Sequence, residues 1–481
     1  MKGAGDRNVT FKRLRLVQRR KALGYTQEQL AEGLGVDRST VVRWERGETE
    51  PLPWLRPKLA QLLKVTIEEL GELLLEITER SDEREGLVLV SSVPLDFSLS
   101  AERTVKVIEG FSAHDVASRR QVLVGLAVMT EAALLQPVRQ WAATMPVRPV
   151  SPTARGSGGV QELEQAVRLF RRWDASGAGG LRRKAVVGQL NAVAETLREE
   201  YRSALARRLF QITAELAQLA GWMSYDQGLP GVAQRYYLLA LHACREAANP
   251  ELGAKVIGDM TQLSTALGNY DDSLRLVHTA LYSLPRHANA FVRSELLGLE
   301  SRAYAQLGSR EASHAVRSAE ACVEVYQQGP ADETPDWIHY MTAAEVDCLA
   351  ANAYIELALR AEDQRQWKTH AERAEAHTLS ARRRRAEGYV RSRIFDEIRL
   401  AKVRLAQREP AESATIAIHS VDLAEPVRSA LVIEWLIRFA RELGRRHTGS
   451  PELRDFHDRL RYYVHLSAPE REHEVAASGG A

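Results

Sequence analysis

The sequence is poor in cysteine: its 481 residues include three, Cys244, Cys322 and Cys348, and these lie far apart. An odd number of distant cysteines favours buried free thiols over a disulfide scaffold or a metal cluster, and fits a reducing cytoplasm. The 13 histidines show no metal-ligand spacing, and no local arrangement of nucleophile and base is visible. We therefore expect no cofactor, no metal and no enzymatic activity.

Long apolar runs are also missing. No stretch is long enough to span a bilayer, and the N-terminal residues lack the apolar segment of a secretory signal. The segment SRRQVLVGLAVMTEAALLQP, from Ser118, contains paired arginines like an export signal, but a charged residue, Glu131, interrupts it. Its apolar spacing instead predicts a buried helix, within one helical stretch over residues 114–142. These absences predict a cytoplasmic protein without membrane contact.

The chain as a whole has almost no excess of one charge over the other, but its opening segment does. The net charge is +2, from 65 basic and 63 acidic residues. Residues 1–47 contain 11 Lys or Arg against 5 Asp or Glu, whereas residues 48–80 contain 4 against 7. A basic surplus confined to the opening segment predicts that this segment meets a polyanion.

Capping residues and glycines divide residues 11–75 into five short predicted helices. Thr26 and Gln29 have the spacing of a capping box, Asp37 is placed to cap the next helix, and Gly35 and Gly47 end helices. One small core is expected, formed by Leu14, Leu30, Ala31, Leu34, Val41, Leu59, Leu63 and Leu70.

The stretch GVDRSTVVRWERG, residues 35–47, contains the helix with the most informative face. At 100° per residue, Val41 and Trp44 fall on one side, which we assign to the core. Arg38, Ser39, Val42 and Arg43 share another arc. Arginine can bond guanine in two places, serine can donate or accept, and valine can contact a thymine methyl. This face is therefore expected to read bases in the DNA major groove.

Phosphate contacts are expected around the same helix. Thr40, and Thr26 and Gln27 at the start of the preceding helix, lie where unpaired N–H groups attract anions. The first predicted helix would add non-specific attraction through Lys12, Arg13, Arg15 and Arg19.

Residues 24–51, GYTQEQLAEGLGVDRSTVVRWERGETEP, resemble the Cro/C1-type (Xre-like) helix-turn-helix family of bacterial regulators. The resemblance rests on Thr26, Gln27, Leu30, Ala31, Gly35, Val36, Ser39, Val41, Trp44, Glu45, Gly47 and Pro51. In that family, DNA is contacted at the positions of Gln27, Arg38, Ser39 and Arg43, and phosphate at that of Thr40. The resemblance also implies that Arg20 pairs with Glu45 and locks the first helix onto the recognition helix.

From residue 161 to about 463 the pattern is helical and contains a degenerate repeat. The signatures LAQLAG, LSTALG and AYAQLG and weaker copies further on have leucines spaced 38 to 50 residues apart, each followed by a second amphipathic helix. The small residue that ends each signature is expected to let paired helices approach closely and share a continuous core. The pattern resembles the tetratricopeptide repeat family, which implies a superhelix of helix pairs.

The sequence therefore predicts an all-α protein with a five-helix Cro/C1-type domain followed by a tetratricopeptide-like solenoid. The predicted regions are 1–79 for the DNA-binding domain, 80–160 for a connector with one helical stretch and a Pro/Gly/Ser-rich loop, 161–465 for the solenoid and 466–481 for a disordered tail.

This order of domains is similar to that of peptide-sensing regulators of Gram-positive bacteria. It implies a dimeric regulator that binds a double-stranded DNA operator and whose solenoid senses a peptide, a small molecule or a protein. Asn352 is a candidate for binding a peptide backbone, although satisfied packing within a helix is the more common role of such a residue. The alternative is an interaction scaffold in which the solenoid is the working part and DNA binding is secondary.

Overall fold

Every regular element that the structure describes is a helix, which confirms the all-α class. The structure is a computed structural model that describes residues 13–45, 49, 51, 55–66, 69–70, 73–74, 100–117, 126–145, 158–175, 181–200, 205–329, 334–427, 429–447 and 450–467. The chain divides into two compact units, Met1–Val88 and Leu89–Ala481. The predicted boundary at residues 79–80 lies outside the described residues.

The first unit has the short helices that its capping residues and glycines predict. They are α1 Leu14–Ala22, α2 Gln27–Leu34, α3 Arg38–Glu45 and α4 Arg56–Leu63. A fifth helical segment follows, in which Thr66 and Glu69 form a reciprocal cap: the backbone N–H of each donates to the side chain of the other. Residues 69–70 and 73–74 are helical.

The core of the first unit contains every predicted core residue whose side chain the structure describes. Its buried side chains are Leu16, Leu30, Ala31, Leu34, Val41, Trp44, Leu59, Ala60, Leu63, Leu70 and Leu74. Leu16 of α1 is buried in this core; the predicted Leu14 side chain lies outside those that the structure describes. About ten apolar side chains suffice to hold helices of about two turns that would not be stable alone.

The second unit is a stack of longer helices. They are α5 Ala101–Ala117, α6 Glu131–Thr144, α7 Gly158–Ala175, α8 Leu181–Glu200, α9 Ala206–Asp226, α10 Pro230–Ala247, α11 Pro250–Ala266, α12 Tyr270–Ser283, α13 Ala290–Leu307, α14 Ala312–Gln327, α15 Ala343–Arg360, α16 Gln364–Arg384, α17 Val390–Ala406, α18 Pro410–Ala424, α19 Ala430–Arg446 and α20 Pro451–Ser467. Short 3₁₀ turns lie at Ser309–Glu311 and Asp336–Ile338.

From α9 onward these helices form consecutive pairs. α9 packs on α10, and the same holds for α11 with α12, α13 with α14, α15 with α16, α17 with α18 and α19 with α20. The first helices of successive pairs also contact one another, so α9, α11, α13, α15, α17 and α19 form one layer, which we call the inner layer. This arrangement is consistent with the predicted solenoid.

The small residues of the repeat signature have two different roles. A side chain at Gly221 would come within 2.6 Å of Tyr237 Cε1, so this glycine does permit close packing of α9 on α10. Gly268 and Gly308 have no neighbour within 4 Å of such a position and have positive φ angles of 89° and 104°. For these two the prediction of close packing is wrong, because they end helices instead.

The single helix predicted over residues 114–142 is also wrong. α5 ends at Ala117, α6 begins at Glu131, and residues 126–130 are not helical. Side chains of α10 replace the helical hydrogen bonds there: Gln234 Oε1 accepts from Met129 N at 2.7 Å, and Arg235 Nη1 donates to Ala127 O at 3.0 Å. Because tertiary partners satisfy the backbone, the apolar spacing does not require a helix.

From residue 89 onward, the region predicted as a connector belongs to the second unit. Side chains of α5 and α6 are buried in its main core, among them Ile108, Phe111 and Trp141. Asp115 of α5 forms a buried ion pair with Arg183 of α8. Most of the predicted loop, residues 146–157, and residues 468–481 of the predicted tail lie outside the described residues.

Candidate DNA interface

The start of α2 is fixed by its predicted capping box. Gln29 N donates to Thr26 Oγ1 at 3.1 Å, and Thr26 N donates to Gln29 Oε1 at 2.8 Å. The Thr26 side chain is therefore used as a cap. A phosphate at this end of α2 would instead meet the backbone N–H groups of the first turn, which have no acceptor within the helix.

The turn between α2 and α3 combines a glycine and an aspartate. Gly35 has a φ angle of 74°, a left-handed conformation that costs glycine little, and it ends α2. Asp37 Oδ1 then accepts from Ser39 N at 2.7 Å and so caps α3. Hydrogen bonds from the hydroxyl and the backbone N–H of Ser39 lower the pKa of Asp37. An ionised aspartate here also suits the positive end of the helix dipole.

The apolar side of α3 is anchored in the core. Val41 and Trp44 are 1% and 3% exposed, which confirms that Trp44 packs inside the domain. With these two residues buried, rotation about the helix axis is fixed. The opposite arc of α3 is then held toward solvent.

A buried polar cluster joins α1, α2 and α3. Arg20 Nε donates to Glu45 Oε1 at 2.5 Å and Nη2 donates to Oε2 at 3.2 Å, while Nη1 donates to Tyr25 O at 2.6 Å. Gln27 Nε2 donates to Glu45 Oε2 at 2.6 Å. Arg20 and Glu45 are 5% and 4% exposed. We call this set of three side chains, Arg20, Gln27 and Glu45, the Glu45 cluster. Within this cluster, Arg20 and Glu45 form the ion pair that the family resemblance implied.

Two of the four basic residues expected to attract DNA also have structural roles. Arg13 is 3% exposed, and its Nη1 donates to Trp44 O and Thr49 O at 3.0 Å each. Arg19 Nε donates to Leu63 O at 2.9 Å and its Nη2 to Lys64 O at 2.6 Å. Both cap the carbonyl ends of helices, which carry partial negative charge. The side chains of Lys12 and Arg15 lie outside the described residues.

The predicted reading face of α3 is accessible. Arg38, Ser39 and Arg43 are exposed, and Thr40 and Val42 are half-buried beside them. Arg38 Nε lies 3.2 Å from Glu28 Oε1 of α2, and both side chains are more than half exposed, at 59% and 67%. A surface pair of this kind is worth less than about 1 kcal/mol, so a base or phosphate can replace Glu28 at little cost.

Asn352, the candidate ligand residue of the solenoid, lies on α15 in the inner layer and lines a cavity there. Its Oδ1 accepts from Arg399 Nε at 3.0 Å. No pattern in the sequence indicates this cavity, because its lining comes from helices that are far apart in the chain.

Comparison with known proteins agrees with this geometry. A helix-turn-helix family model matches residues 16–70. No curated protein and no solved structure matches the chain. Among the described helices, none is long and apolar enough to cross a membrane. Residues 16–70 are therefore a helix-turn-helix domain of the Cro/C1 type, a DNA-binding module.

Proposed function

We propose that the protein is a sequence-specific transcriptional regulator. The helix-turn-helix domain reads an operator, and the second unit senses an effector and mediates dimerisation. In this proposal the protein acts by binding and not by catalysis.

The observation that carries the proposal is the way α3 is held. Its apolar side is buried, the Glu45 cluster ties it to α1 and α2, and Arg13 caps its carbonyl end. Its first two turns leave Arg38, Ser39 and Arg43 exposed on the opposite side. A rigid short helix with such a face is what direct reading of the major groove requires.

A dimer follows from the size of the reading helix. One α3 can contact only a few base pairs, whereas two on linked half-sites, one helical turn or about 34 Å apart, gain affinity through linkage. The second unit supports the sensing role because its inner layer encloses a cavity of about 480 Å³, within the range of small-molecule sites.

Genome-wide mapping of DNA bound by the purified full-length protein at physiological salt tests this proposal. We expect a recurrent motif made of two related half-sites. The matched control is a double variant, Ser39→Glu with Arg43→Glu, which puts acidic groups on the reading face while leaving the core of the domain unchanged; it should recover no motif.

If wild type and the double variant recover the same fragments, the reading face is misassigned. If neither recovers a motif, while the second unit captures a protein partner, the scaffold function replaces the regulator.

A further inference from the structure

The cavity of the second unit lies at the centre of the inner layer. All six inner helices, α9, α11, α13, α15, α17 and α19, contribute to its lining. At one end of the cavity, Ser429 at the start of α19 donates its Oγ to Asp226 Oδ1 of α9 at 2.7 Å, and Arg391 Nη1 of α17 lies 3.1 Å from Asp226 Oδ2. A cavity of about 480 Å³ suits a small organic molecule.

The charges of the lining are unequal. Eight of its side chains are Arg or Lys and five are Asp or Glu. The five carboxylates all have cationic partners: Asp174 pairs with Arg391, Asp259 and Glu295 with Lys255, Asp336 with Arg168, and Glu345 with Arg385. Asp396, behind the lining, pairs with both Arg385 and Arg399. Each carboxylate of the lining therefore already has a cation within ion-pair distance, with Lys255 shared between two of them.

Arg302 of α13 is a half-buried cation of the lining, whereas Arg172 is exposed. Among the described residues, its guanidinium has no carboxylate within ion-pair distance and no hydrogen bond. Glu356 acts on Arg302 through its charge but forms no ion pair with it. The ion pairs of Glu356 are with Lys402 and Arg360. Burial lowers the pKa of Arg302. A half-buried guanidinium without a counter-ion is unfavourable, and an anion in the cavity would relieve that cost.

The side chains beside Arg302 include an aromatic pair, Trp435 and Phe395. The guanidinium carbon of Arg302 lies 5.3 Å from the ring centre of Trp435, and Phe395 packs against the same indole with ring centres 4.9 Å apart. Arg399 and Lys402 also lie over Trp435, at 5.6 and 5.7 Å. An anionic group at Arg302 would thus carry its molecular body onto aromatic side chains.

We propose that this cavity binds a small organic anion, whose oxyanion pairs with Arg302 and whose apolar or aromatic body packs on Trp435 and Phe395. The role of that anion as the effector rests on the proposed function. The carboxamide oxygen of Asn352, the residue expected to bind a peptide backbone, accepts a hydrogen bond from Arg399. In this proposal the polar recognition centres on Arg302.

A matched pair of fluorescent probes tests the site in the full-length protein. The anionic probe is 8-anilinonaphthalene-1-sulfonate, and the neutral one, N-phenyl-1-naphthylamine, lacks only the sulfonate. Arg302→Gln should weaken binding of the anionic probe by about 10-fold or more, since a charged hydrogen-bonded contact is lost. Binding of the neutral probe should stay within about 2-fold, and Arg302→Lys should restore part of the anionic affinity.

Arg445→Gln is the control variant, because it removes the same charge from an exposed arginine of α19 that does not line the cavity. It should change neither affinity. Equal affinity of wild type and Arg302→Gln for the anionic probe would overturn the site. Circular dichroism of each variant verifies that the fold is kept; if Arg302→Gln does not fold, the comparison of wild type with Arg302→Lys decides.

Displacement distinguishes the kind of anion. Naphthalene-1-acetate and 1-naphthyl phosphate present a carboxylate and a phosphate on the same ring system, and naphthalene-1-acetamide is the neutral equivalent. Displacement by either anion and not by the amide supports the site, and the stronger anion identifies the oxyanion class. Displacement by the amide to the same extent contradicts it. If the cavity does not bind anions, the mapping experiment can still recover a DNA motif. The two proposals are therefore tested independently.

Discussion

Gln27 of α2 donates its side-chain amide to Glu45, the last residue of α3, at a distance of 2.6 Å. The same carboxylate takes two hydrogen bonds from Arg20 of α1. A residue expected to contact DNA thus also belongs to the buried cluster that holds the recognition helix. Gln27 can offer its backbone N–H to a phosphate while its side chain remains on Glu45.

Removal of Arg20 should destabilise the helix-turn-helix domain strongly. Arg20→Met leaves Glu45 buried without its cation, and the loss of one partner from a buried pair costs about 3–5 kcal/mol. Arg38→Met, the matched control, breaks the exposed pair with Glu28 and should cost less than about 1 kcal/mol. Hydrogen exchange of α1 to α3 in the full chain measures both. Equal protection in the two variants would show that the Glu45 cluster does not stabilise the domain.

Arg43 should contribute to specificity more than to stability. Arg43→Ala should weaken binding to the mapped operator by about 1–3 kcal/mol and relax the preference at one base pair, with little change for unrelated DNA. Arg445→Ala removes the same charge from the second unit and should leave operator affinity unchanged. Fluorescence anisotropy with operator and scrambled duplexes measures these effects. An unchanged operator affinity for Arg43→Ala would refute the assigned face.

Two glycines of the second unit should respond to alanine in opposite directions. A methyl group at Gly253 of α11 would overlap the buried indole of Trp141 on α6, so Gly253→Ala should cost about 1–3 kcal/mol. Gly188, inside α8, has nothing within 4 Å of the added methyl, and Gly188→Ala should stabilise by up to about 1 kcal/mol. Urea unfolding of both variants tests the docking of α6; a neutral Gly253→Ala would contradict it.

The features that the sequence predicts well are local. Capping at Thr26 and Asp37 and the left-handed Gly35 depend on residues within four positions, so their pattern is visible in the chain. The burial of Val41 and Trp44 follows from helical periodicity alone. These local signals are sufficient to orient the reading face of α3.

The features that the sequence does not reveal depend on distant partners. In the sequence, Arg13 and Arg19 look like arginines that contact DNA. Their structural role is not visible there, because the carbonyl oxygens that they bind lie 31 to 45 residues further along the chain. Residues 126–130 leave the helical pattern because α10, more than a hundred residues later, supplies their hydrogen bonds. Arg302 is recognisable as a cation without a carboxylate partner only in the folded structure, because the cavity residues come from helices that are distant in the chain.

Acid should weaken the second unit in part through Glu356. Burial alone would raise the pKa of this carboxyl, but the charges of Lys402 and Arg360 outweigh it and lower the pKa to about 2. A folded-state pKa below the ordinary 4.5 gives stability that is present above pH 4.5 and is lost as the pH falls toward 2. The shift corresponds to about 3 kcal/mol at neutral pH.

Glu356→Gln should therefore be less stable than wild type at pH 7, and the difference should shrink to near zero by pH 2. Urea unfolding followed by circular dichroism at pH 7, 4 and 3 measures it. A difference that is constant over this range would mean that the ionised form of Glu356 does not contribute.

Truncation after residue 88 should separate DNA recognition from dimerisation. The cut must precede α5, because α5 and α6 are packed into the core of the second unit, and residue 88 is where the first unit ends. We expect the full chain to sediment as a dimer and the 1–88 fragment as a monomer. Without linkage of two half-sites, the fragment should bind the operator about 10²–10⁴-fold more weakly. Binding of an isolated half-site should be unchanged, which serves as the internal control for folding. A dimeric fragment that binds the whole operator as tightly as the full chain would assign dimerisation to the first unit instead.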